Sequence, residues 1–149
     1  MQLNKKSIGV VALLTVAGIA LFTALAHMSC IVLGEACYRA QLAPEAIVNS
    51  AIAGTWFAPV GTILVSALFL VCSVYAISAA KIIKPTPMLR LGIFTISGLC
   101  VLRGVATLPL AYLYAGKVTY FIIFAGVVWF LSGVLLISGY ILVNRPSGT

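Results

Sequence analysis

LGIFTISGLCVLRGVATLPLAYLYAG, residues 91–116, decides how this chain is read. Arg103 is its one charge, and the stretch is long enough to cross a bilayer as a single helix, which takes about 20 apolar residues. A guanidinium at mid-depth costs somewhere between about 3 kcal/mol on insertion scales and roughly 10 or more in simulations, so the position demands a partner. The chain offers only two carboxylates, Glu35 and Glu45, and both fall in one stretch outside the long apolar runs.

Working outward, the whole chain has the composition of that stretch. Of its 149 residues 63% are hydrophobic and 7% charged, against roughly 25% charged in soluble domains. This places it among integral membrane proteins, all-α, with room for four spans in one transmembrane domain, 1–149, and for no separate soluble domain. A formal net charge of +7 would point to nucleic acid in a soluble chain. Here the basic residues sit mostly at the ends of apolar runs, where they set topology, and no nucleic-acid partner is implied.

The first span is expected over 8–27, after Lys5 and Lys6 and up to His27. The next charge-free run, 46–80, would extend roughly 50 Å as one helix, against a hydrocarbon core of about 30 Å, so it must break. Gly54, Pro59 and Gly61 supply the break. Because proline suits a first helical turn, the second span is placed at 58–80. The third covers 89–114 and the fourth 118–143, joined by a link at 115–118 short enough to force an antiparallel hairpin. The expected fold is thus an up-down four-helix bundle with a loop at 28–57. Within that loop Pro44 and Glu45 open a short helix reaching about Trp56, which lies in the interface or tucks back into the bundle.

Lys5, Lys6, Lys81, Lys84, Arg90 and Arg145 fall on one side of this scheme and Arg39 and Lys117 on the other. The positive-inside rule puts both termini in the cytoplasm of a cell with the protein in its inner membrane. The first run also has the marks of a secretory signal, with Ala24-Leu25-Ala26 as a small-residue cleavage site. Its length favours a retained span, and cleavage would leave three spans with an odd topology. Tyr112, Tyr114 and Tyr120 form an aromatic belt at the outer side. Ser66, Ser73, Ala76, Gly126 and Gly133 are small residues at helical spacing that let helices approach closely.

Arg103 groups by three-, four- and seven-residue spacing with Ile96, Leu99, Cys100, Ala106, Thr107 and Leu110, a face expected to point inward. Two readings are open. In one, Arg103 is an internal tie to Glu35, Glu45, Thr107 or backbone carbonyls. In the other it holds an anionic lipid, a quinone-like carbonyl, a transported anion or a partner protein through its fork of donors. The polar centre expected from sequence comprises Arg103, Glu35, His27, Trp56 and Thr107. Each acid also has a local role: Glu35 stands four residues before Arg39, the favourable order for a helical ion pair, and Glu45 sits where a helix start prefers negative charge.

Cys30 and Cys37 lie in the outer loop, where a disulfide persists, while Cys72 and Cys100 lie within spans as small buried side chains. Quinone-linked membrane thiol oxidases are also four-span proteins, but Cys30 and Cys37 are not in a Cys-x-x-Cys pair and the link at 115–118 has no cysteine. Zinc needs three or four convergent ligands, and His27, the only histidine, is better accounted for at the interface. No metal, cofactor or catalytic constellation is expected.

Function classes divide on these residues. A proton-coupled cation exporter needs a carboxylate within a span, and there is none. A dimeric anion transporter or channel through Arg103 is the alternative to a non-enzymatic binding or accessory role, in a larger membrane complex or a homodimer. The pattern Leu33-Gly34-Glu35 with Tyr38, Gly54-Thr55-Trp56 with Pro59, Leu89-Arg90 and Leu102-Arg103-Gly104 resembles a group of small four-span bacterial inner-membrane proteins of uncharacterised role. That resemblance implies location and architecture, and no activity.

Overall fold

The structure, a computed structural model, describes residues 4–113 and 120–144, the Leu110 side chain excepted. The described residues form six helices: α1 (Lys5–Leu33), α2 (Glu35–Ala40), α3 (Glu45–Ile52), α4 (Phe57–Ala79), α5 (Leu89–Leu113) and α6 (Tyr120–Asn144), with no strand among them. Four of these, α1, α4, α5 and α6, are long and apolar enough to cross a membrane. The link expected at 115–118, together with Tyr114, Lys117 and Arg145, lies outside the described residues.

Helix ends fall where backbone chemistry dictates. α1 does not stop at His27. It runs on to Leu33, and Gly34 ends it with φ 70° and its N–H on the Cys30 carbonyl at 2.9 Å. Three later ends share one two-bond closure, the Schellman motif. After α2, Ala43 N–H bonds the Tyr38 carbonyl and Leu42 N–H that of Arg39. After α3, Thr55 N–H bonds Ser50 and Gly54 N–H bonds Ala51; after α4, Ile82 N–H bonds Ile77 and Lys81 N–H bonds Ser78. The residue at each reversal has positive φ: Leu42 at 56°, Gly54 at 65° and Lys81 at 62°. Ser50 also prepares the next helix, for its Oγ accepts Ala58 N–H at 2.8 Å, one of the donors a helix start leaves unpaired.

The chain groups into two compact units, one of Met1–Ala17 with Tyr75–Thr149 and one of Gly18–Val74. In the first, Leu13, Val16, Ala17, Ala76, Ala79, Ala80, Ile93, Leu136 and Val143 form the core. Its helices meet at small residues, as expected in lipid, where close packing replaces a hydrophobic drive. A Cβ on Gly104 would come within 2.5 Å of Phe130 Cβ and 2.8 Å of the Gly126 carbonyl; one on Gly126 would strike Thr107, and one on Gly133 the Ser97 carbonyl and Val101. Phe94 meets Tyr140 edge-on, centroids 6.4 Å apart. Higher positions on α5 thus face lower ones on α6, so the two run antiparallel. Gly9 and Gly139 make a similar contact between α1 and α6, each Cβ site 2.9 Å from the other's carbonyl oxygen.

The second unit is built on Cys30, Tyr38, Val48 and Ala58. Thr62 Oγ1 donates to the Ala58 carbonyl at 2.8 Å, so the Tyr38 hydroxyl donates to Thr62 Oγ1 at 2.9 Å. Ser66 Oγ donates to the Ala24 carbonyl at 3.2 Å and ties α4 to α1.

Candidate functional site

Residues singled out from the sequence fall in both units. In the second, Cys30 and Cys37 are joined by a disulfide, Cα atoms 5.1 Å apart, which fastens α2 to the end of α1. Gln41 completes the brace: its Nε2 donates to the Ala26 carbonyl at 2.7 Å and lies 3.0 Å and 3.6 Å from the two sulfurs. Sequence reading missed Gln41, because an amide after a short helix carries no signal until the chain has turned back on α1.

Both carboxylates stand beside one guanidinium, Glu35 hydrogen-bonded to it and Glu45 at ion-pair distance. Arg39 Nε donates to Glu35 Oε1 at 2.7 Å, and Arg39 Nη1 stands 3.7 Å from Glu45 Oε1. The hydrogen bond to Glu35, assisted by the charges of Glu35 and Glu45, raises the Arg39 pKa above its ordinary value. His27 Nδ1 sits 2.9 Å from the Thr23 carbonyl, so the ring nitrogen that faces this acceptor carries the proton, and the ring leans on Phe69 at 5.3 Å. Trp56 is 73% exposed and meets Phe57 edge-on at 6.3 Å.

In the first unit Arg103 is exposed, and its side chain makes no hydrogen bond or ion pair among the described residues. The expectation of an inward Arg103 face is corrected here. The packed stripe of α5 runs through Ile93, Ser97, Gly104 and Thr107, leaving Arg103 on its flank beside Leu99 and Leu102, exposed 61% and 64%. Small residues decide the rotation: Gly104 is the point of closest approach to α6, and its neighbour Arg103 is turned about 100° away. Thr107 does not serve the guanidinium, since its hydroxyl donates to the Arg103 carbonyl at 3.0 Å and its side chain, Oγ1 nearest, packs on Gly126. Pro109, also exposed, has no N–H to give the Val105 carbonyl.

Depth gives this arrangement its consequence. At 1.5 Å per residue Arg103 lies about 21 Å along α5 from Leu89 and about 15 Å from Leu113. Helical Cα–Cβ bonds tilt toward the N-terminus, so the Arg103 side chain sets out from α5 toward Leu89 rather than Leu113.

Among the described residues no group of His, Cys, Asp or Glu side chains is arranged to hold a metal ion. Comparison of the chain with protein-family models, with curated proteins and with solved structures finds no match.

Proposed function

We propose that this chain is a small multi-pass inner-membrane protein with a non-enzymatic, accessory role, and that Arg103 is where it engages a partner's transmembrane helix carrying an acidic or strongly polar side chain. The observation that carries this reading is the exposed Arg103 guanidinium without a side-chain partner on an apolar helix flank. Charges at that depth are kept when they are paired, and the chain's two carboxylates are already held by Arg39. A second copy brings another arginine to the same depth and no acid, which disfavours a homodimer or a dimeric anion channel closed through this residue. A headgroup phosphate lies beyond the hydrocarbon boundary, toward which Arg103 does not lean at its nearer end.

The same reading sets both termini in the cytoplasm and the four long helices in an up-down bundle. It places α3 at the outer interface, where Ile52, Trp56 and Phe57, exposed 56%, 73% and 47%, form an apolar and aromatic edge of the kind that seats at headgroup level. Native mass spectrometry of the detergent-extracted protein beside Arg103→Met, with both melting temperatures recorded, tests it. A polypeptide adduct retained by the parent and lost in a variant that melts within a few degrees is the expected result. An adduct of quinone or lipid mass that Arg103→Met loses moves the site to a small ligand; a collapsed melt with no adduct makes Arg103 a structural tie.

A further inference from the structure

A second cationic site stands at the start of α5, away from Arg103. Met88, Leu89, Arg90, Leu91 and Phe94 line an open groove of about 660 Å³. Its walls are apolar and its one charge is Arg90, whose Cζ lies 6.0 Å from the centroid of the Phe94 ring. That contact occupies none of the Arg90 donors, and the side chain makes no hydrogen bond or ion pair among the described residues. Phe94 is in turn held edge-on by Tyr140.

The rim is held as firmly as the walls. Ser78, 2% exposed, accepts Thr86 N–H at 2.9 Å and donates to the Lys84 carbonyl at 3.3 Å; the Tyr75 hydroxyl donates to the Pro87 carbonyl at 3.0 Å. Gly92 makes room for the Tyr75 ring, which a Cβ there would strike. The connection so fixed carries Lys81 and Lys84 with Ile82 and Ile83 exposed 57% and 43%, cations interleaved with apolar side chains. No carboxylate is close to it in sequence, and both that the chain has are engaged by Arg39.

From this we infer that the groove binds an anionic phospholipid, the phosphate held by the edge of Arg90 and one acyl chain lying on Leu91 and Phe94. A guanidinium edge matches a phosphate with two parallel hydrogen bonds, and net charge selects an anionic headgroup over a zwitterionic one, since the Arg90 charge that attracts the phosphate repels a choline ammonium. The apolar walls select a lipid over a soluble phosphate. Position agrees: Arg90 is the second residue of a helix long enough to span a membrane, so it stands at the level where headgroups begin. The inference rests on α5 crossing the membrane and is independent of any partner at Arg103.

Titration of the full-length protein with dioleoyl phosphatidylglycerol and with dioleoyl phosphatidylcholine, followed by native mass spectrometry, tests it. Both lipids offer the phosphate, and phosphatidylglycerol is expected to bind about tenfold more tightly because it lacks the choline ammonium that Arg90 repels. Arg90→Gln is expected to abolish that preference. Phe94→Ala, at a position 42% exposed, is expected to weaken both lipids about fivefold by removing the wall and the ring beside Arg90. Inorganic phosphate at millimolar concentration is expected not to displace the lipid. Equal binding of the two lipids, a preference that survives Arg90→Gln, an unchanged affinity in Phe94→Ala, or displacement by phosphate overturns the proposal.

Discussion

At the scale of single residues, glycines and hydroxyls divide by the role the backbone gives them. Gly104→Ala must push α5 off α6, since the new methyl would meet Phe130 Cβ and the Gly126 carbonyl oxygen at non-bonded distances of 2.5 and 2.8 Å; a loss of about 1–3 kcal/mol is expected. Gly54→Ala meets nothing within 4 Å and feels only its positive φ of 65°, so about 1 kcal/mol is expected. Thermal melts of the two variants in one detergent check the order. Ser97 and Ser132 bury hydroxyls that find no hydrogen-bond partner among the described residues. Ser132→Ala is therefore expected to hold or raise the melting point; a loss above about 1 kcal/mol would show that the hydroxyl is bonded. The small residues Gly126 and Gly133 were legible in the sequence as contact points. The facing of Arg103 was not: helices apolar on every side have no hydrophobic stripe to choose a face, and only Gly104 next door carried that information.

The long helices are readable as elements because apolar length alone marks them. α1 runs on past His27 to Leu33. A histidine does not stop a helix, since its ring nitrogen can bond the carbonyl one turn back, as His27 does with Thr23. A glycine that reverses the backbone stops it, as Gly34 does. α3 likewise ends at Ile52, short of Trp56, because Gly54 and the double bond to Ser50 and Ala51 close it. The pair Cys30 and Cys37 stood out from its place in the loop, while Gln41, which braces it, needed the fold. Closing so short a loop by a disulfide contributes roughly 2 kcal/mol through the unfolded state. Cys37→Ser is expected to lose about that much and to speed hydrogen exchange in α2 selectively, with α5 and α6 unchanged; uniform faster exchange would contradict a local role.

Taken as a whole molecule, the chain carries nine Lys and Arg against two acids, and the two acids share one cation. With Arg39 held protonated, its raised pKa gives stability that is complete below the ordinary guanidinium range and lost only above it. Melting temperature is therefore expected not to vary through Arg39 anywhere between pH 6 and pH 9 (roughly the working range of a folded protein), and the Glu35–Arg39–Glu45 group, solvent-exposed and screened by salt, is expected to contribute little to the melt at any ionic strength. The Schellman closures after α2, α3 and α4 have a consequence for handling the protein. Proteases take substrate as extended strand, and residues 41–44 and 53–56 turn instead within hydrogen-bonded reversals. Trypsin, which would cut after Arg39, finds that bond in a short helix tethered by the Cys30–Cys37 disulfide and by Gln41. A reductant should turn a protease-resistant segment into a cleavable one, and the fragment released at Arg39 would mark the moment the tether opens.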